Sequence, residues 1–159
     1  QIRGLLDGGA DLLAAETLLY PQDAEAILTA AELEGAETVI YSFTMQPDGS
    51  FFSGMDAGKT LRELEEAGAA AVGFNCVAAD MMTPGLVSKL RRQVKGPLIC
   101  KPNAGIPVIQ PGNVVEYPML PDEFADIVAD CHAMGAKILG GCCGTAPEYI
   151  AAVKERVCK

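Results

Sequence analysis

The chain has 159 residues, half of them hydrophobic, which is enough for one core and one ordinary domain. Twelve basic against 21 acidic residues leave a formal charge of −9, and the basic residues form no cluster, which argues against nucleic-acid binding. No apolar run approaches the about 18 residues of a membrane span, no secretory leader pattern opens the chain, and six cysteines without the spacing of a small secreted scaffold fit a reducing cytoplasm.

The chain starts Gln1-Ile2-Arg3-Gly4, without methionine and inside a helix-like stretch, so it reads as a piece of something longer. A recurring hinge then organises it. Gly9-Ala10-Asp11, Gly35-Ala36-Glu37, Gly68-Ala69-Ala70 and Gly135-Ala136-Lys137 each close a helical pattern and open an apolar one. The expected strands are residues 12–18, 38–43, 71–76, 97–101 (after Gly96) and 138–141. Short, nearly continuous apolar runs of this kind suit strands buried on both faces of a parallel sheet.

Helix starts fall between them. Pro21 opens the first, and Asp56 can cap the second, with Leu61, Leu64 and Ala67 on one face. Thr83-Pro84 signals the third, Pro121 the fourth, and Thr145-Ala146-Pro147-Glu148 reads as a capping box for the last. Alternating strands and helices make an α/β fold, here five βα units where a complete (βα)8 TIM barrel has eight and about 250 residues. Residues 1–159 are therefore expected to be one domain, the C-terminal five βα units of an incomplete barrel. A doubly wound open sheet is the alternative. It is disfavoured because candidate site residues end several different strands and no glycine-rich dinucleotide fingerprint follows any of them.

Those strand ends carry the chemistry. Glu16 ends the first and has two readings, a solvated helix-start carboxylate or a ligand for a substrate ammonium group. Ser42 and Thr44, around Phe43, read as turn formers. Asn75-Cys76 ends the third, and Lys101-Pro102-Asn103-Ala104-Gly105 the fourth, where Asn103 either bonds a substrate or makes a turn. The fifth ends in Gly140-Gly141-Cys142-Cys143-Gly144-Thr145. Adjacent side chains in a regular strand point to opposite faces, but the flanking glycines can turn both thiols toward one place. With Cys76 they would form a three-thiolate zinc site with one open position.

Competing readings are weaker. A vicinal disulfide leaves Cys76 idle. A structural four-cysteine site lacks a fourth ligand, since Cys131 and Cys158 fall late in helices at the opposite rim and Cys100 reads as core. A zinc hydrolase lacks a histidine, because His132 sits near the end of the fourth helix, where it suits the helix dipole and has no catalytic role. Residues 105–120, with Pro107, Pro111 and Pro118, form a long loop, either a lid or docking surface or a proline-braced connection, and Tyr117 either faces the site or packs beneath the loop.

Val72-Gly73-Phe74-Asn75-Cys76, the Pro-Asn-Ala-Gly stretch at 102–105, and Gly140-Gly141-Cys142-Cys143-Gly144-Thr145 followed by Pro147 resemble the homocysteine S-methyltransferase family, and most of all its cobalamin-dependent members. The likeness covers essentially the whole chain. It implies a zinc-dependent (βα)8 barrel that methylates the sulfur of homocysteine to give methionine, with Cys76, Cys142 and Cys143 as zinc ligands. It also implies that Glu16 holds the substrate amino group, and Asn75 and Asn103 are placed with it as substrate contacts. The donor would be a corrinoid (methylcobalamin on another domain or protein), a folate, betaine or S-methylmethionine. The resemblance further implies three preceding βα units that this chain lacks, so the partners expected are that segment or further domains. The alternative function is a zinc-binding barrel fragment without catalysis of its own.

Overall fold

The computed structural model describes residues 1–81 and 84–158. The glycine hinges organise it as expected: Gly9, Gly35, Gly68 and Gly135 all take positive φ, from 72° to 111°. At Gly35 the left-handed residue ends a helix, and the Ala36 N–H then reaches back to Ala31 O at 2.9 Å, closing the last turn before the chain enters a strand.

The elements run α1 (Ile2–Asp7), β1 (Leu13–Leu18), α2 (Pro21–Glu34), β2 (Val39–Phe43), α3 (Ala57–Glu66), β3 (Ala71–Ala78) and a 3-10 turn (Ala79–Met81). They continue with α4 (Pro84–Arg91), β4 (Leu98–Asn103), β5 (Val108–Gln110), β6 (Val114–Glu116), α5 (Pro121–Ala133), β7 (Ala136–Leu139) and α6 (Pro147–Val157). Five strands form one parallel sheet in the order β1-β2-β3-β4-β7. Strand order follows chain order with no switch point, as in an arc of a barrel and unlike a doubly wound sheet.

The two faces of the sheet differ. Leu13, Val39, Tyr41, Phe43, Val72, Phe74, Leu98 and Cys100 point outward into one core with Ala24, Leu61, Leu64, Leu86, Val87 and Leu90 of the helices. The alternate positions face inward. Toward the strand N-termini they are small or apolar (Ala14, Ile40, Gly73, Ile99), and toward the C-termini they are polar: Glu16, Ser42, Asn75 and Lys101. Gly73 is required there, since a Cβ on it would lie 2.1 Å from Ile99 O of the paired strand. A second core joins Phe124 and Tyr149 of α5 and α6, edge to face at 5.6 Å, with Ala79, Ala104 and Met119.

Several local expectations are corrected. The last strand ends at Leu139 rather than 141, which leaves both glycines before the cysteine pair outside it. Ala67 is the C-terminal residue capping α3 and is exposed, so of the three expected residues Leu61 and Leu64 are buried, together with Ala57 and Gly58. Asp56 does cap that helix, accepting the Lys59 N–H at 3.2 Å. The capping box at residues 145–148 does not form: α6 starts at Pro147, so Ala146 and not Thr145 is the N-cap, and the Thr145 side chain turns back, its hydroxyl donating to Cys142 O at 2.8 Å. Of the Thr83-Pro84 start signal, Pro84 opens α4 and Thr83 lies outside the described residues. Residues 105–120 contain an unforeseen antiparallel hairpin of β5 and β6, exposed along its length and anchored where Tyr149 Oη donates to Met119 O at 2.8 Å.

Candidate metal centre

Cys76 reaches the site through a break in strand regularity. Pairing of β3 with β4 shifts register between Asn75 and Ala78, and Cys76 within that bulge has φ 60°. A matching shift in β1, between Ala15 and Leu18, puts Thr17 at φ 58°. Asn75 ties the two bulges together. Its carbonyl oxygen accepts the Thr17 N–H at 2.9 Å and the Ser42 hydroxyl at 2.8 Å, and its NH2 donates to Thr17 Oγ1 at 2.7 Å and to Cys142 Sγ at 3.6 Å.

The cysteine pair is held by the tail of β4. Gly140 N donates to Cys100 O, Cys142 N to Pro102 O and Ala104 N to Cys143 O, at 3.1, 2.8 and 2.9 Å. The Asn103 side-chain oxygen takes the Cys143 N–H at 2.9 Å. Gly144 turns the chain with φ 77°, and no side chain fits there: a Cβ would lie 2.2 Å from Cγ of the Tyr117 ring. Tyr117 therefore faces the site and brings the end of the 105–120 segment against it.

The outcome is a cluster in which Cys76, Cys142 and Cys143 present sulfur atoms all within 4.8 Å of one another, with Cys76 Sγ and Cys143 Sγ 3.8 Å apart. Cys143 is exposed and the other two are half-buried, so the cluster opens to solvent on one side. Burial pushes the Cys76 thiol up to about 11, a hydrogen bond from the Asn103 side chain acts in the opposite direction, and the charge of Cys142 adds to the rise. The Tyr117 phenol is likewise raised, by burial first and then by its hydrogen bond with Cys143.

The remaining cysteines stay apart from the cluster. All six are free thiols. Cys100 and Cys131 are buried together in the core, and Cys158 is exposed at the end of α6. His132 packs at the opposite rim, its Nδ1–H donating to Ala136 O at 2.9 Å. Glu16 lies on the inner face, 40% exposed, in an ion pair with Lys101. Asn103 is nearly buried beside Cys143, and Asn75 is 1% exposed beneath the thiols with its polar atoms on protein partners. Sequence reasoning missed Thr17, Ser42 and Lys101. The hydroxyls of Ser42 and Thr44, read as turn formers, instead support the site, Thr44 donating to Cys76 O at 3.4 Å. Strand parity was the available signal: Ser42, Asn75 and Lys101 share the inward face with Glu16.

A parallel α/β sheet whose C-terminal strand ends gather three thiols and a carboxylate defines an α/β protein with a thiol cluster that could hold a metal ion. The sequence model of homocysteine S-methyltransferase matches residues 1–157, and the chain belongs to that family. It is 32% identical over 160 residues to methionine synthase of Mycobacterium tuberculosis, covering 97% of this chain and 13% of that protein. It is 30% identical over 152 residues to homocysteine S-methyltransferase YbgG of Bacillus subtilis, covering 94% and 48%. The metallated form of the homocysteine methyltransferase MmuM from Escherichia coli superposes with a TM-score of 0.79 at 30% identity, covering 98% of this chain and 48% of that one. The chain thus spans about half the length of the latter two. No helix among the described residues is long and apolar enough to cross a membrane.

Proposed function

We propose that this chain carries the zinc and homocysteine site of a cytoplasmic homocysteine S-methyltransferase, an enzyme that methylates the thiol of homocysteine to give methionine. The observation that carries this reading is the three-thiol cluster at the strand ends. Its geometry fits the metal: tetrahedral zinc with bonds of about 2.3 Å sets its sulfur ligands about 3.8 Å apart, and Cys76 and Cys143 stand at 3.8 Å. Thiolates are also the soft donors that zinc prefers over harder cations. We further read the five-stranded sheet as the C-terminal arc of an eight-stranded barrel, because β1 and β7 present unpaired outer edges among the described residues. Further βα units would close it.

Cys76, Cys142 and Cys143 would hold zinc, which when bound would supply the Lewis acidity that makes a substrate thiol a thiolate. The protein's own residues do the rest. Cys76, Cys142 and Cys143 hold the ion, while Asn75 and Asn103 fix the direction of the sulfurs through Cys142 Sγ and the Cys143 N–H. Glu16, on the inner face beside the thiols, receives the substrate ammonium group. Asn75 belongs beneath the substrate as a positioning residue, and Asn103 forms the wall next to Cys143. The sulfur lone pair makes the new S–C bond, the donor departs with the electrons of its broken bond, and the thiol proton leaves to solvent. The similarity to methionine synthase favours a corrinoid as donor. The alternative, a zinc-binding incomplete barrel that needs its N-terminal part or a partner for catalysis, rests on the open sheet edges and the half-length match to the relatives, while the family match over residues 1–157 favours the enzyme.

The test is X-ray absorption on zinc-loaded protein with and without L-homocysteine, run beside a methylation assay. The sulfur count at zinc should rise from three to four on adding homocysteine, and Cys143→Ser should lose zinc and turnover together. A four-sulfur shell that does not respond to homocysteine would sink the proposal.

A further inference from the structure

The ion pair between Glu16 and Lys101 has no place in the metal cluster, and its geometry is unusual for neighbouring barrel residues. Glu16 stands on β1 and Lys101 on β4, with two strands between them. On a flat sheet those positions lie about 14 Å apart, with side chains perpendicular to the surface. The two meet only because the sheet curves, so that their tips converge over the concave inner face. There they are the charged residues among the neutral Ser42 and Asn75. Lys101 pairs in register with Asn75, whose amide contacts Cys142 Sγ. The lysine stem packs on Gly140, where a Cβ would lie 3.1 Å from its Cγ, two residues before the first cysteine of the pair. A cation and an anion are thus displayed together, on the face that holds the thiols.

Resting on the reading of homocysteine as substrate, we infer that Lys101 receives the α-carboxylate of the amino acid, and that the Glu16–Lys101 pair opens to admit the zwitterion between its members. An α-amino acid carries one charge of each sign on adjacent atoms. Entering the pair, it replaces one ion pair by two, ammonium to Glu16 and carboxylate to Lys101, and the charge of the site does not change. The exchange is easy because neither side chain is locked away: they are 40% and 25% exposed, and pairs this open are weak. It is also selective. A thiol without a carboxylate would leave Lys101 competing for Glu16, and a thiol without an ammonium group would leave Glu16 unpaired.

Binding calorimetry on the zinc-loaded full chain tests this with two ligands. L-homocysteine carries both charges, and 3-aminopropane-1-thiol keeps the thiol and amine but has no carboxylate. K101M should weaken homocysteine binding at least about tenfold, the loss expected for one charged hydrogen bond. The same variant should bind the aminothiol as well as the wild type or better, which also shows that it is folded. K101R should restore most of the affinity for homocysteine. The inference is overturned if K101M binds homocysteine as tightly as the wild type or tighter, which would make Lys101 a plug, or if it weakens both ligands equally. If wild-type protein takes up zinc but not homocysteine, the proposed function falls and this inference with it; uptake that ignores the lysine overturns the lysine's role alone.

Discussion

Asn75→Ala is the sharpest probe of how the site is built, because one buried carboxamide serves both the fold and the thiols. The Ser42 hydroxyl, 2% exposed, would lose its acceptor among the described residues, and orphaning a buried donor costs about 1–3 kcal/mol. Thr17 is exposed, so water replaces its two bonds to Asn75 at small cost. The total comes to about 3 kcal/mol, and at about 2–4 °C per kcal/mol for a chain of this size the melting temperature should drop by about 6–12 °C. If the orphaned hydroxyl dominates, Ser42→Ala in the same chain should return part of the loss, because removing both partners is cheaper than removing one. The double variant is then expected about 1–2 kcal/mol more stable than the sum of the singles. Metal affinity should behave differently. It should fall about 10–100-fold in Asn75→Ala, since Cys142 loses its donor, and Ser42→Ala should not restore it. Urea melts of the four proteins and a competitive zinc titration provide both readouts. Additivity within about 0.5 kcal/mol, or unchanged zinc affinity, would refute the reasoning.

Two further changes test the frame around the site. Gly73→Ala would drive a Cβ to 2.1 Å from Ile99 O, and backbone offers no relief of the kind a flexible side chain gives, so a loss of about 3 kcal/mol or more is expected in urea melts. Asp56→Ala removes the cap of α3 and should cost about 1–2 kcal/mol at pH 7 while leaving zinc uptake intact. Burial pushes the Asp56 carboxyl up, but hydrogen bonds from Gln93 and Lys89 and the Lys89 charge outweigh it and hold the group below its ordinary value. The contribution of such a depressed acid is full above its unfolded pKa of about 3.9 and is lost as pH falls through the folded value. Melts of wild type and variant should therefore converge below about pH 4, and a gap that survives acid would rule out the carboxylate as its source.

What could be read from the sequence follows from which interactions are local. Glycine hinges and short apolar runs report backbone angles and burial over a few residues, and all five parallel strands came through. The three thiols were legible because each sits at the end of an apolar run, where a parallel sheet collects its functional groups. The capping box failed for the opposite reason. The Thr145-to-Glu148 pattern needs Thr145 at the N-cap, and here the helix starts one residue later, with the Thr145 side chain turned back onto the Cys142 carbonyl of the loop that aims the thiols. The hairpin was hidden because β5 and β6 are three residues each and exposed, so burial imposes no alternation on them. The Glu16–Lys101 contact depends on sheet curvature, which no run of residues encodes.

Placing neighbouring residues on one site is the geometric problem of this fold, and the chain solves it twice by different means. Asn75 and Cys76 are consecutive, and in a regular strand one of them would point away into the helices. The left-handed turn at Cys76 breaks that alternation, so Asn75 faces inward beneath the cluster while the Cys76 sulfur still joins it. A non-glycine residue in that conformation costs on the order of 1–3 kcal/mol, and the strain persists because Asn75 and Asn103 fix both sides of the bulge. Cys142 and Cys143 avoid such strain at the cysteines by leaving the strand altogether. β7 stops at Leu139, the β4 tail supplies their hydrogen bonds, and Gly144 carries the left-handed turn that neither cysteine has to adopt. Burial also pushes the Cys76 thiol up. Cys76 is thus brought to the cluster by the bulge, while Cys143, outside the strand, is the thiol exposed to solvent.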